Sequence, residues 1–164
     1  MTQDLKQNQI AAIALGSNLD SPAGDLAANL RLAVLHLSDI GRVLVLSSFY
    51  DTAPVGYLDQ PRFLNAAVLL ETDLSPLDLL HHLLSIERCM GRDRSATVAK
   101  GPRVVDLDLI LFGDLVLNTE ELTLPHPAMR QRRFVLEPLA EIAPDMIDPV
   151  SGETIAALFA ALEP

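Results

Sequence analysis

Apolar residues along the chain switch between the two-residue period of strands and the 3.6-residue period of helices, in the order strand, helix, strand, strand, helix, strand. That order predicts an α+β fold of the ferredoxin-like βαββαβ kind, an antiparallel sheet with both helices on one face and a C-terminal extension. With 164 residues and 49% hydrophobic content, the chain reads as a single domain over 1–164, residues 1–9 forming a flexible tail.

Ile10 to Leu15 is a short apolar run closed by Gly16-Ser17-Asn18, a strand entering a tight turn. Ser21-Pro22 offers an N-cap and a first-turn proline, after which Leu26, Leu30, Val34 and Leu37 make one helical stripe. Val43 to Tyr50 reads as the second strand, and Thr52 to Pro61, with Pro54 and Gly56, as a loop. Phe63 to Thr72 is the third strand. Ser75-Pro76-Leu77-Asp78 is a capping box; Leu79, Leu80, Leu83, Leu84 and Ile86 follow as the buried face, with Gly91 as the stop. Cys89 is expected as a small buried hydrophobe late in that helix. Residues 91–103 are polar and basic, hence a loop, and Val104 to Phe112 is the fourth strand. The extension holds a hairpin of Leu115–Leu117 with Leu122–Leu124, then helical pieces near Phe134–Ile142 and Thr154–Leu162.

The charge balance excludes several classes. Twelve Lys plus Arg against 22 Asp plus Glu leave −10, a field that repels phosphate polymers and anionic membranes. A lone Cys89 excludes an internal disulfide framework and suits a reducing, cytoplasmic setting. No apolar stretch approaches the roughly 20 residues of a membrane span. Residues 88–103 run against the trend, with Arg88, Arg92, Arg94, Lys100 and Arg103 facing only Asp93. Such a cluster is either a solvated loop or a seat for a compact polyanion, whose oxygens match the forked donors of arginine.

The strongest chemical signal is Asp106-Leu107-Asp108 inside an otherwise apolar strand. Strict alternation puts Val105, Leu107, Leu109 and Leu111 on one face and Asp106, Asp108, Ile110 and Phe112 on the other. Two carboxylates on one face either converge on a hard cation such as Mg²⁺, pair with Arg103 or Arg92 as salt bridges, or face water. A metal dyad beside an arginine-rich loop is the equipment of phosphoryl or diphosphoryl transfer. Neither a GxxxxGK[ST] loop nor a GxGxxG pattern occurs. His126, in Leu124-Pro125-His126-Pro127 and followed by Arg130, Arg132 and Arg133, is a candidate phosphate contact.

Five stretches carry a resemblance. They are Ala14-Leu15-Gly16-Ser17-Asn18-Leu19, Ser47-Ser48-Phe49-Tyr50-Asp51-Thr52-Ala53-Pro54, Phe63-Leu64-Asn65-Ala66-Ala67, Gly101-Pro102-Arg103-Val104-Val105-Asp106-Leu107-Asp108, and Leu124-Pro125-His126. In this order the chain resembles the 6-hydroxymethyl-7,8-dihydropterin pyrophosphokinases of folate biosynthesis. The resemblance implies transfer of diphosphate from ATP to the hydroxymethyl group of the pterin, with release of AMP. It implies two Mg²⁺ ions on Asp106 and Asp108, with Arg92 and Arg103 catalytic. An ATP groove of Glu87, Arg92, Arg94, Arg103, His126 and Arg132 is implied too, beside a pterin slot of Thr52, Ala53, Val55, Phe63, Asn65 and Phe134. Partners are then ATP and the pterin alone, with no nucleic acid or membrane, and the enzyme is a cytoplasmic monomer. Gly91 to Gly101 is expected to close over bound ATP. Many relatives carry an Arg-Trp pair where this chain has Ala99-Lys100, so the indole over the pterin is missing here. Two readings stand beside the pyrophosphokinase: another Mg²⁺-dependent phosphotransferase or hydrolase with an Asp-x-Asp pair, and a non-catalytic ferredoxin-like binding module.

Overall fold

The computed structural model describes residues 8–54, 59–91 and 103–162. Val55 and the loop arginines Arg92 and Arg94 lie outside the described residues, as do the expected lid and most of the expected tail. Gln9, at that tail's end, already pairs with Thr72 in the sheet.

The unbroken apolar character of β1 (Gln9–Ser17) marks it as a central strand buried on both faces. It pairs antiparallel with β4 (Phe63–Thr72) along its whole length and with β5 (Asp106–Phe112) on its other side. β2 (Arg42–Leu46) completes the order β2-β4-β1-β5, which is the ferredoxin-like order expected from the sequence. On one face Ala11, Ile13 and Leu15 of β1 join Ala66, Val68 and Leu70 of β4. They pack against Leu30, Ala33 and Leu37 of α1 (Leu26–Leu37) and Leu79, Leu83 and Ile86 of α2 (Pro76–Cys89). Both helices of the βαββαβ core therefore share that face. Ala12, Ala14 and Ala67 point the other way, into a second core with Val135, Leu136 and Leu139 of α3 (Arg133–Ile142) and Ile155 and Leu158 of α4 (Ile155–Ala160). The extension is thus a third layer that seals the sheet's second face. No helix among the described residues is long and apolar enough to cross a membrane.

Local chemistry moves several expected boundaries. The second strand divides into β2 and β3 (Tyr50–Thr52), because Ser47 replaces a ladder acceptor with its own hydroxyl: the Ala67 N–H donates to Ser47 Oγ at 2.8 Å. Ser48 leaves the ladder too, donating from its N–H and hydroxyl to Glu141 on α3. The N-cap of α1 is Asp25, which accepts from the Ala28 N–H, rather than Ser21; Pro22 sits in the turn before it. Ser75 caps α2 as expected, accepting from the Asp78 N–H at 3.1 Å, and Gly91 follows at φ +100. Cys89 is exposed, because the buried stripe of α2 runs through Leu83, Ile86 and Glu87 and leaves position 89 on the solvent side. The hairpin shortens to β6 (Leu117–Asn118) with β7 (Thr123–Leu124).

Strict alternation on β5 fails at one place. Ala12 pairs with Leu111 while Ile13 pairs with Leu109, so Ile110 is an extra residue, a β-bulge. Beyond it the faces exchange: Phe112 joins the α1–α2 core and Leu111 the α3–α4 core, the reverse of the alternation expected from the sequence.

The third layer carries stability and is not an appendage. Leu136 is fully buried between α3 and the sheet. Leu136→Ala is expected to lower unfolding free energy by about 2–5 kcal/mol, read from a urea transition with an unchanged slope.

Candidate active site

On the α3 side of the sheet, three rows of cross-strand neighbours grade from apolar to polar. Leu69, Ala12 and Leu111 make the first row; Ala67, Ala14 and Asp108 the second; Asn65, Gly16 and Asp106 the third. Partners in register point to one face, so Asp106 and Asp108 share it with Asn65. The middle of the last two rows is filled only by an alanine and a glycine, which leaves a trough between β4 and β5. Of Gly16-Ser17-Asn18, expected as a tight turn, Gly16 and Ser17 are the last residues of this central strand, and Gly16 begins the trough floor. A Cβ on Gly16 would stand 2.9 Å from Asn65 Oδ1. Sequence reasoning missed Gly16; its signal was a glycine inside a strand pattern, which marks close approach.

The trough opens into a cavity lined by Thr52, Ala53, Phe63, Asn65, Arg103, Asp106, Arg132 and Phe134. Its empty volume, counted with the open mouth, is ≈ 510 Å³. Five residues expected in the pterin slot thus meet three expected to handle phosphate and metal. Asn65 is 5% exposed and donates from Nδ2 to Thr52 Oγ1, so β3 fixes the orientation of its amide. Phe63 and Phe134 each carry an arginine on the ring: Arg103 lies 5.7 Å from the centroid of Phe63 and Arg132 5.5 Å from that of Phe134. Aromatic and cation are therefore joined on both sides of the cavity.

Arg103 Nη1 stands 3.3 Å from Asp106 Oδ2, the pairing weighed in the sequence as a plain salt bridge. The Arg103 N–H also donates to Asn18 Oδ1 at 2.8 Å, which ties the entry of β5 to the end of β1. Glu87, expected in the ATP groove, is 1% exposed and belongs to α2, the layer behind the sheet. Its Oε2 accepts from the N–H of Leu107 at 2.8 Å, so it grips β5 between the two aspartates. Among the described residues no group of three His, Cys, Asp or Glu converges to hold a metal. The donor set on this face is thus two carboxylates, which suits Mg²⁺, an ion that keeps water and takes phosphate oxygens as its other ligands.

His126 reaches the site through the bulge: its N–H donates to Ile110 O at 2.9 Å. Its Nδ1 accepts from the Ala128 N–H at 3.1 Å, so the neutral ring carries its proton on Nε2. Burial, then Arg132, pushes the imidazole pKa down, and Asp106 offsets part of this. Of the three arginines that follow, only Arg132 lines the cavity. Arg130 pairs with Asp148 at 2.6 Å, and Arg133 lies over Phe159 and 3.4 Å from Glu137.

A lowered histidine pKa means that the unfolded chain takes up the proton first as pH falls. The stability that neutral His126 contributes is therefore intact above about 6.5 and lost as pH falls from there through the folded value. In an NMR titration the His126 ring should protonate below 6.5, and Arg132→Ala should move that midpoint upward.

The family model described as 7,8-dihydro-6-hydroxymethylpterin-pyrophosphokinase (HPPK) matches residues 12–144. A 2-amino-4-hydroxy-6-hydroxymethyldihydropteridine pyrophosphokinase of Methylorubrum extorquens is 46% identical over 156 residues, covering 94% of both chains. The enzyme of that name in Bacillus subtilis is 50% identical over 137 residues, 82% of this chain and 78% of its own. The folic acid synthesis protein fol1 of Schizosaccharomyces pombe is 41% identical over 91% of this chain, which spans only 20% of that longer protein. In fold, a crystal structure of Plasmodium falciparum HPPK-DHPS matches with a TM-score of 0.71 at 17% identity, over 96% of this chain and 46% of the other. With its family match running from β1 through α3, this chain belongs to the 7,8-dihydro-6-hydroxymethylpterin-pyrophosphokinase family.

Proposed function

We propose that this chain transfers diphosphate from ATP to the hydroxymethyl group of 6-hydroxymethyl-7,8-dihydropterin, a step of folate biosynthesis, using the residues that line the trough. Family membership supports the reaction. One observation carries the residue assignment: Asn65, Gly16 and Asp106 form a single row, so a ring seated at one end of it presents its substituent to the carboxylates at the other.

The chemistry follows from the walls. Phe63 and Phe134 offer flat apolar faces to a bicyclic ring, and Asn65, braced by Thr52, offers hydrogen bonds to its amide-like edge. Gly16 lets the ring approach the floor. In the transfer the hydroxymethyl oxygen bonds to the β-phosphorus and releases its proton to water, while the bond from that phosphorus to the bridging oxygen breaks and its electron pair leaves with AMP. Arg103 and Arg132 hold fixed positive charge beside the phosphates, where negative charge shifts toward the leaving group. His126 offers its Nε2–H as a neutral donor. Asp106 and Asp108 would hold Mg²⁺, two ions in this proposal, and the metal would offset phosphate charge and keep the reacting oxygens in line. Arg92 and Arg94 complete the cationic set by their place in the sequence, and Val55 completes the pterin slot. Glu87 serves ATP through the strand it grips. Both sheet faces are covered by the chain's own helices, which supports a monomer, and ATP as co-substrate supports a cytoplasmic setting.

Incubation with ATP, Mg²⁺ and the pterin should yield AMP in step with pterin diphosphate. Formation of ADP instead would overturn the reaction. Asp106→Ala or Asp108→Ala should leave a folded protein with activity reduced at least about a hundredfold, measured at saturating Mg²⁺.

The floor of the slot is tested separately by calorimetry. Asn65→Ala should weaken pterin binding by roughly tenfold or more while ATP binding changes little. Gly16→Ala should act the same way, because its Cβ displaces the Asn65 amide.

A further inference from the structure

Asp148 is fully buried, yet no part of the proposed reaction uses it. Its Oδ2 accepts from Arg130 Nε at 2.6 Å and from Ser151 Oγ at 2.8 Å, and its Oδ1 from the Val150 N–H at 3.0 Å. Burial opposes ionisation, but these donors outweigh it and hold the carboxyl below its ordinary value. The backbone around it is a closed turn: Asp148 donates to Glu153 O, and Gly152, at φ +78, donates to Asp148 O. Ile155, one residue beyond the Thr154 cap, anchors α4 in the second core. Asp148 is thus a fixed point on the third layer.

Arg130 sits at the middle of a single 3₁₀ turn, Met129–Gln131. One flank of that turn begins at His126, whose carbonyl accepts from the Met129 N–H; the other ends at Arg132, whose N–H donates to Met129 O. Arg132 then serves as the N-cap position of α3 without a side-chain cap bond. Among the described residues, the one side-chain hydrogen bond that holds Met129–Gln131 runs from Arg130 to Asp148. His126 and Arg132 therefore hang on either side of one charged anchor.

We propose that the Arg130–Asp148 ion pair is a positioning device: it sets the turn that carries His126 and Arg132 and so tunes the seat for the ATP phosphates. This rests on the reading of those two residues as ATP contacts. Arg130, one of the three arginines that follow His126 in the sequence, holds its neighbours in place. A displaced turn would loosen ATP more than the pterin, because it carries both His126 and Arg132, whereas of the pterin walls only Phe134 follows it on α3 and Thr52, Phe63 and Asn65 stand on β3 and β4.

The test is Asp148→Asn in the full chain, which keeps the shape and leaves Arg130 able to turn to solvent. Binding of Mg²⁺ with the α,β-methylene analogue of ATP, followed by calorimetry, should weaken about tenfold, a typical loss when the partner behind a ligand-holding group is removed, with pterin affinity changed less than about threefold. The His126 ring, faced by Arg132 and Asp106, should titrate closer to 6.5 in the folded variant as the turn opens to water. A folded variant with wild-type analogue affinity and an unmoved His126 titration overturns the proposal, as does equal loss of both ligands. If Asp148→Asn does not fold, Arg130→Gln with Asp148→Asn, which buries no charge, is read by the same criteria. Arg132→Ala separates the two ideas: unchanged analogue affinity there would refute the ATP reading, while the His126 shift in Asp148→Asn would still judge the ion pair.

Discussion

The site depends on one constraint, the passage of a central strand between two others with almost no side chain on one face. β1 pairs with β4 and β5 at once, and its last residues toward the cavity on the α3 side are Ala14 and Gly16. Backbone hydrogen bonds hold Asn65 and Asp106 one strand apart on either side of Gly16, so the groups proposed to read the ring and to hold metal are spaced by sheet geometry and not by loops. A larger residue in the middle would fill the trough. The strand can be so thin there because it is secured on its other face, where Ile13 and Leu15 are buried against α1 and α2.

Charge is handled by layering. Two of the described arginines line the cavity, each supported by something behind it: Arg103 by Phe63 and Asp106, Arg132 by Phe134. Support also comes through the sheet. Glu87 holds the Leu107 N–H from behind while Asp106 and Asp108 face forward, so negative charge on both sides of β5 is kept apart by the backbone. Such backing makes a preorganised site, in which dipoles and charges need not rearrange as phosphate charge shifts.

The third layer links stability to function. α3 seals the second face, carries Phe134 at its start, and accepts from Ser48 and Tyr50 through Glu141 near its end. That contact pushes the Tyr50 hydroxyl up to about 12, chiefly through its bond to Glu141, and keeps it protonated as a donor. β3, which positions Thr52 beside Asn65, is thereby tied to the helix that forms the opposite wall of the cavity.

Periodicity, caps and turn residues were enough to predict the βαββαβ order, both helices of its core, and the Asp106–Asp108 face, because these are local properties of one strand or helix. Motif resemblance named residues that meet in one cavity, Thr52, Asn65, Arg103 and Phe134 among them. Other features were settled by partners far along the chain. The bulge at Ile110, which swaps Leu111 and Phe112 between cores, arises from the register with β1, and no pattern within β5 encodes it. Arg130, Arg132 and Arg133 look alike in sequence; Asp148, Phe134 and Glu137 separate them into an anchor, a cavity wall and a surface pair. Glycine at position 16 reads as a turn until β4 and β5 stand on either side of it. A sequence specifies which groups are present and the period at which they recur, but which charge meets which, and where a missing side chain leaves room, depends on distances that only the folded sheet sets.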